Sequence, residues 1–390
     1  MMCFSRSFRA FRVGANRASI TSALRGSVAQ YVAGPERVDL IQVSVWPVTQ
    51  VDRAGSIRLA PLEGACCLMS LDPSISSRLR LPLIAAPMLR VSGPDLVSAA
   101  CCNGVIGAFP TVNARTTEGL DAWLTRVEQD CARVEGPTAP VCPNIIMRSD
   151  PAQLAEDLGV LIRHKVPMVI ASVGSPERII APLHDVGCRV FTDVASVRHA
   201  EKALEVGADG LVLLSAGAGG QTGWVNGLSF ARAIRAFYDG PLVLSGGISD
   251  GAALWAAQTL GCDLGMMGTR FIATPESMAA DAYKAMLVDS RLDDVMLTRA
   301  FTGLDTNMLR PSVVKAGLDP KEIEGPISAE RSRELLDAKF KQAPRPQRWV
   351  DVWSAGHTVS AVGAVTPVTE LVAQIEDEYR AAREATAALL

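Results

Sequence analysis

Two short segments near the middle of the chain carry residue types that suit a bound phosphate. They are residues 245–248 (SGGI) and 266–270 (MMGTR), and each closes a short apolar run typical of a buried strand. Glycine lets the backbone approach a ligand closely, consecutive N–H groups form an anion-binding nest, and a threonine adds a hydroxyl donor. In a (β/α)8 barrel such a site follows strands 7 and 8. One helical segment, 250–260, separates the pair, so together they predict a phosphate site.

A third segment, 215–223 (SAGAGGQTG), contains the residues that could face the rest of such a ligand. Its glycines would permit a flat ring to lie against the backbone, and it leads to Gln221. A glycine-rich turn without a ligand is the alternative. We favour the ligand-binding interpretation because the predicted barrel rim brings this loop beside the two phosphate motifs.

These motifs need a scaffold, and the chain from residue 81 alternates apolar runs with helical patterns. The runs show no clean alternation of polar and apolar residues, which is typical of parallel strands buried on both faces. A degenerate repeat (VGCR at 186–189, VGAD at 206–209, LGCD at 260–263) marks helix ends before the next strand. Eight such units predict an α/β fold, a (β/α)8 TIM barrel, with a doubly wound sheet as the alternative. The eight runs are 83–88, 105–109, 141–146, 167–172, 190–193, 210–215, 242–245 and 264–267.

After Phe271 the regular alternation of short apolar runs and helical patterns ends. Residues 276–299 and 328–341 have helical, charged patterns, whereas 310–326 and 343–348 have the proline and glycine content of connections. An amphipathic segment at 369–379 predicts a last helix that returns to close the barrel, with Leu371, Val372, Ile375 and Tyr379 on its apolar face. We therefore predict a barrel formed by 69–275 and 361–390, and a small helical cap subdomain formed by 276–360.

Residues 1–68 differ from the rest. Five arginines and no acidic residue occur in 1–35, a composition typical of an organellar transit peptide. The alternative is an extension upstream of the true start, because Met69 directly precedes the first recognisable unit. We favour the extension, poorly ordered, because its apolar residues keep no helical period.

Composition narrows the function classes. The chain has 390 residues, a formal net charge of −3 and nine cysteines, without a C-x-x-C motif. The charge argues against nucleic acid as a partner, no apolar stretch is long enough to span a membrane, and the odd cysteine count favours a reducing compartment. We predict a cytoplasmic protein without a metal site, or an organellar one if the arginine-rich segment is a transit peptide.

Five motifs in barrel order make the chain resemble a known family, the FMN-dependent nitronate monooxygenases (2-nitropropane dioxygenases). They are LIAAPM at 83–88, PNI at 143–145, AGGQTG at 218–223, SGGI at 245–248 and MGTRF at 267–271. Segments 302–304 (TGL) and 353–357 (WSAGH) resemble the family more weakly. The likeness implies FMN as cofactor, with Ala86, Pro87 and Met88 at the flavin ring and Asn144 at the ring or ribityl chain. By the same likeness, Gly246, Gly247, Gly268 and Thr269 would hold the phosphate. The other residues predicted to bind the cofactor are Asp193, Ser215, Ala218, Gly219, Gly220, Ser245 and Met267.

The chain departs from the family pattern at Gln221, where a histidine usually serves as the base that deprotonates the nitro-bearing carbon. An amide is not a general base near neutral pH, although it can donate a hydrogen bond to a nitro or carbonyl oxygen. Two other titratable residues are candidates for acid–base roles. His357 follows the predicted cap and could reach the barrel mouth, or could cap a helix. Asp193 ends strand 5, and its alternative role is a helix N-cap.

The sequence therefore predicts an FMN-dependent oxidoreductase that oxidises alkyl nitronates with dioxygen to a carbonyl compound and nitrite, with Gln221, His357 and Asp193 as catalytic candidates. One alternative is an NAD(P)H-dependent quinone or enoyl reductase on the same barrel. Another is a barrel that binds a phosphorylated metabolite without flavin, which would need a strand-end lysine or an acid pair. A non-catalytic binding protein is the third, because the usual histidine is missing.

Overall fold

The computed structural model of the protein describes residues 48–51, 57–59, 70–341 and 344–389. Within these residues, parallel strands form a closed barrel in which the eighth strand pairs with the first. This confirms the predicted (β/α)8 barrel and each of the eight strand positions. The strands are β1 (Leu83–Ala85), β2 (Ile106–Pro110), β3 (Val141–Ile146), β4 (Met168–Ser172), β5 (Arg189–Val194), β6 (Gly210–Leu214), β7 (Leu242–Ser245) and β8 (Leu264–Met267).

Local sequence explains where the surrounding helices begin and end. Asp150, for example, caps the third helix by accepting a hydrogen bond from the N–H of Ala152 at 2.9 Å. The repeat predicted to end helices does so, since Gly187, Gly207 and Gly261 have φ angles of 79°, 96° and 96°. The barrel helices are α1 (Pro94–Cys102), α2 (Thr117–Ala132), α3 (Pro151–Arg163), α4 (Glu177–His184), α5 (Val197–Glu205), α6 (Gly227–Arg235), α7 (Gly251–Thr259) and α8 (Val368–Ala387).

The strand residues pack in two layers. Side chains such as Ile84, Ile170 and Phe191 fill the barrel interior, while others on the same strands pack outward against the helices. The predicted closing helix is confirmed: α8 packs against α7 and α1. Its four predicted apolar residues are buried: Leu371, Val372, Ile375 and Tyr379.

The segment between β8 and α8 is more irregular than its sequence pattern indicates. Residues 295–298 form a strand, so the prediction of a helix across 276–299 is wrong there. The reason is a period of two: Met296 and Thr298 are buried, whereas Leu297 between them is exposed. The strands Val295–Thr298, Thr306–Leu309 and Gly220–Gln221 form an antiparallel sheet. The helices of this segment are Thr269–Ile272, Asp281–Asp289, Arg310–Lys315, Pro320–Ile323 and Ala329–Lys339, with 3₁₀ turns at Leu292–Asp294 and His357–Ala361.

The domain boundaries at 275/276 and 360/361 stay predictions. Most of the predicted extension, 1–68, lies outside the described residues; its strands Val48–Val51 and Ile57–Leu59 pair antiparallel. No helix in the described part of the chain is both long enough and apolar enough to cross a membrane.

Candidate functional site

A cavity of about 470 Å³ lies at the carboxyl ends of the barrel strands, bounded on its other side by residues of the segment 276–360. Most of the residues predicted from the sequence to form the site line this cavity, although they come from six of the eight strand ends and the loops that follow them. Its volume falls within the usual range for cofactor and small-molecule sites. The predicted residues that line it are Ala86, Pro87, Met88, Asn144, Asp193, Ala218, Gly219, Gly220, Gln221, Ser245, Gly246, Gly247, Gly268 and Thr269.

The ends of β7 and β8 form a backbone cradle. Gly247 has a φ of 84°, and a Cβ atom added there would meet nothing within 4 Å. In the described residues, the N–H groups of Gly247 and Gly268 make no turn or loop hydrogen bond. The Thr269 Oγ1 accepts a hydrogen bond from the Gly356 N–H at 3.0 Å, which leaves its own O–H to donate. Open space, unpaired N–H groups and a hydroxyl donor fit a phosphate.

The two glycines of the SGGI motif have different tasks. A Cβ at Gly246 would lie 2.6 Å from the Ser215 Oγ, so glycine is required there for packing. At Gly247 a side chain would meet no protein atom and would occupy the space of the cradle instead. Gly246 is therefore needed for close packing of the backbone, whereas the open space at Gly247 would allow a ligand to approach closely.

On the opposite side of the cavity, three polar side chains form a hydrogen-bonded chain across the ends of β3, β4 and β5. The Asn144 Nδ2 donates to the Ser172 Oγ at 2.6 Å, and the Ser172 hydroxyl donates to the Asp193 Oδ2 at 2.5 Å. Burial raises the pKa of the Asp193 carboxyl to about 6, although the hydrogen bond from Ser172 opposes that rise. Among the described lining residues, Asp193 carries the one carboxyl group.

Ser172 was missing from the predicted site, although it is the last residue of a predicted strand. The rule that functional groups follow barrel strands would have found it. The next residue, Val173, has a φ of 59°, and a β-branched residue with positive φ is a genuine outlier. Such strain clusters at functional sites. Here it marks the turn that directly follows Ser172.

The glycine-rich loop after β6 is held from the far side by the segment 276–360. The Asn307 Nδ2 donates to the Ala218 carbonyl at 2.7 Å, and Gln221 pairs with Thr306 in the antiparallel sheet. A Cβ at Gly219 would lie 2.7 Å from the Gly356 nitrogen, so part of the glycine content serves packing. The backbone of Gln221 is thus fixed, while its side chain is exposed at the cavity.

Two predicted residues support the cavity from behind. The Ser215 hydroxyl is fully buried and donates to the Ser245 carbonyl at 2.8 Å, which ties β6 to β7. Met267 packs into the layer between strands and helices, while its neighbour Met266 lines the cavity. Successive side chains of a strand point to opposite faces, so Met266 lines the cavity where Met267 was predicted to do so.

His357 does not line the cavity, although Gly356 and Thr358 on either side of it do. Its side chain is exposed, and its ring lies close to Gly217: a Cβ added to that glycine would be 3.0 Å from the His357 Nδ1. The His357 N–H donates to the Gly217 carbonyl at 2.9 Å. His357 therefore lies beside Gly217 rather than in the cavity lining, and its acid–base role stays a prediction.

Nine further lining residues come from the segment 276–360, and five of them lie in the two segments, 302–304 and 353–357, that resemble the family more weakly. Trp349 lies close to the glycine-rich loop: a Cβ atom added to Gly220 would be 3.7 Å from the Trp349 Cη2. Tyr283 stacks on Trp353 with ring centroids 5.1 Å apart and donates its hydroxyl to the Ser354 carbonyl. Other cavity-lining residues of this segment are Thr302, Leu304, Arg348, Ser354, Ala355, Gly356 and Thr358.

Comparisons with known proteins agree with this geometry. The family model described as nitronate monooxygenase matches residues 143–378. Nitronate monooxygenase of Paraburkholderia phytofirmans is 27% identical, covering 77% of this chain and 92% of that protein. A Rhodococcus jostii (3aS,4S,5R,7aS)-5-hydroxy-7a-methyl-1-oxo-octahydro-1H-indene-4-carboxyl-CoA dehydrogenase is 26% identical, covering 67% of this chain and 70% of that protein. The structure of FabK from Thermotoga maritima superposes with a TM-score of 0.67 at 25% identity, covering 82% of this chain and 98% of that one.

Proposed function

Because the chain belongs to the nitronate monooxygenase family, a family of oxidoreductases, we propose that it is an FMN-dependent enzyme oxidising alkyl nitronates. Dioxygen would be the electron acceptor, and a carbonyl compound and nitrite would be the products. The observation that carries the proposal is the convergence on one cavity of a phosphate cradle and a polar chain. The cradle lies at the ends of β7 and β8, and the chain runs from Asn144 to Asp193.

The cavity fits FMN from two sides. Gly247, Gly268 and Thr269 would hold the phosphate, while Asn144 and its hydrogen-bonded partners would face the polar atoms of the ribityl chain or ring. When bound, FMN supplies the redox chemistry, and the protein supplies binding, orientation and electrostatics. The backbone of residues 86–88, which lines the same cavity, would lie along the ring.

Gln221 determines which form of the substrate the enzyme accepts. Its amide can donate a hydrogen bond to an oxygen of the nitronate group but cannot remove a proton from carbon. A nitronate is already deprotonated, so its oxidation does not need the missing base. We therefore propose that the substrate is taken up as the nitronate and that neutral nitroalkanes react slowly.

Asp193 carries the one carboxyl group among the described lining residues, and its protonation state would change within an ordinary pH range. With a pKa of about 6, the carboxyl is mostly ionised at pH 7 and mostly protonated at pH 5. Its hydrogen bond from Ser172 holds the carboxylate in place. We assign Asp193 to cofactor positioning, because it is locked into the chain that includes Asn144.

Rates with preformed nitronate and with the neutral nitroalkane test the proposal directly. The wild-type enzyme should turn over the nitronate much faster, and Gln221→His should raise the rate with the neutral form. A positioned general base typically contributes about 10²–10⁴-fold. Gln221→Asn, which keeps an amide, is the matched control and should leave the neutral substrate slow. Efficient wild-type turnover of the neutral form would contradict the proposed role of Gln221.

A second candidate function is reduction of a carbonyl-conjugated substrate by NAD(P)H, and Gln221 favours it. The amide could hydrogen-bond a carbonyl oxygen, and no proton on carbon has to be removed. One relative at 26% identity is named as a carboxyl-CoA dehydrogenase, and this name supports the second candidate. Mixing the protein with NADPH under anaerobic conditions separates the two functions: rapid bleaching of the flavin absorbance supports the reductase, and an unchanged spectrum supports the nitronate enzyme.

A further inference from the structure

A second cavity, of about 620 Å³, adjoins the first beneath the helix Ala329–Lys339. The two cavities share four lining residues, so a long ligand could occupy both. Two of the shared residues, Arg348 and Trp349, come from the last connection before α8. The shared residues are Leu89, Thr302, Arg348 and Trp349.

The lining of this second cavity is strongly basic. Its charged side chains are all arginines, and no aspartate or glutamate is among the described residues that line it. Arg299 and Arg345 are paired with Asp305 and Asp337, which lie outside the lining. The arginines that form no ion pair with a described residue are Arg90, Arg333 and Arg348. Three guanidinium groups without a carboxylate partner leave a surplus of positive charge facing one cavity.

The backbone at the junction is also unusual. Arg90 and Trp349 have φ angles of 62° and 65°, a conformation that residues other than glycine rarely adopt. Strained residues persist where the surrounding structure determines them, and they cluster at ligand sites. Here one of them supplies an unpaired guanidinium and the other an indole ring. Phe301 adds a second aromatic side chain to the lining.

We propose that this basic cavity binds the pyrophosphate of a nucleotide-bearing ligand whose reactive end enters the barrel cavity beside Gln221. Guanidinium groups match phosphate oxygens in bidentate geometry, and aromatic rings offer stacking surfaces for a base. Coenzyme A thioesters and NAD(P)H share this chemistry. The proposal goes beyond nitronate oxidation, because a simple alkyl nitronate is small enough to react within the barrel cavity and would not reach the arginines of the second cavity.

Isothermal titration of the full-length protein tests the proposal without relying on turnover. The probes are coenzyme A, NADP⁺ and inorganic pyrophosphate. At least one nucleotide should bind, pyrophosphate should compete with it, and affinity should fall as salt rises. Arg333→Gln and Arg348→Gln should each weaken binding about tenfold, the loss expected for one charge-assisted hydrogen bond. The probe that binds identifies the source, thioester substrate or nicotinamide nucleotide.

Arg331→Gln is the matched control, because Arg331 lies on the same helix, is paired with Glu334 and does not line the cavity. It should bind the probes like the wild type. Melting temperatures of all three variants show whether the fold is intact. Failure of every probe to bind the wild type, or equal binding by wild type and both cavity variants, would overturn the proposal. Neither result would test the proposed flavin site, because the FMN content of the protein is measured separately.

Discussion

The two walls of the barrel cavity are built differently. The wall at β7 and β8 offers mainly backbone: in the described residues the N–H groups of Gly247 and Gly268 make no turn or loop hydrogen bond, and Thr269 adds a hydroxyl donor. The wall at β3 to β5 offers side chains, the chain of Asn144, Ser172 and Asp193. A backbone wall has no titrating group, whereas the side-chain wall contains a carboxyl with a pKa of about 6.

This difference separates two tasks in one cavity. A phosphate monoester carries at least one negative charge across ordinary pH, so fixed N–H dipoles are sufficient to hold it. A flavin ring or a reacting substrate presents donors and acceptors, so the opposite wall needs side chains whose protonation can adjust. The comparison predicts that changes on the two walls have different signatures, one in affinity and one in pH dependence.

The largest effect is expected at Gly247. In Gly247→Val the side chain would occupy the phosphate cradle, and FMN affinity should fall on the order of 100-fold, the scale of overpacking a filled site. Gly187→Val is the matched control, since that glycine has a φ of 79° and equally open surroundings but lies outside the cavity. Fluorescence titration of the flavin-free proteins with FMN measures both. Equal losses in the two variants would point to backbone strain rather than the cradle.

A smaller effect is expected at Thr269. Thr269→Val removes the hydroxyl that we propose donates to the phosphate and also leaves the Gly356 N–H without its acceptor. FMN affinity should fall about tenfold, with some loss of thermal stability. Thr269→Ser keeps the hydroxyl and should restore both quantities. If the valine and serine variants bind FMN equally well, the hydroxyl takes no part in holding the phosphate.

The smallest effect on affinity at neutral pH, and the clearest pH signature, is expected at Asp193. Its folded-state pKa of about 6 lies above the ordinary value of 3.8, so its contribution to stability is fully present below pH 3.8 and is lost as pH rises through about 6. Asp193→Asn should abolish this loss, so the variant should gain stability relative to wild type between pH 4 and 7. Melting temperatures of wild type and variant across that pH range measure the difference. If the two melting temperatures change with pH in parallel, the pH dependence does not come from Asp193.

Much of the scaffold could be predicted from the sequence because a parallel barrel repeats one rule eight times. Each buried strand is a continuous apolar run, and each helix ends at a signal such as Gly187, Gly207 or Gly261. The glycine motifs at 245–248 and 266–270 could be predicted as site residues because they lie at the ends of barrel strands, where functional residues are found.

The segment 276–360 could not be predicted as well, because its residues are positioned by tertiary contacts. The strand Val295–Thr298 pairs with Thr306–Leu309, and that sheet continues onto the glycine loop at Gly220–Gln221. No local sequence pattern predicts which distant segments pair in this way. Arg348 and Trp349 likewise lie in a connection with no periodicity, and only the fold brings them to the mouth of both cavities.

The identity of the bound cofactor tests the central claim most directly. We expect the purified protein to be yellow and to release FMN on acid precipitation, close to one per chain, identified by chromatography of the supernatant. FAD is not expected, because the ends of β7 and β8 form a cradle for a single phosphate. Colourless protein that takes up no FMN, or protein that releases FAD instead, would contradict the account.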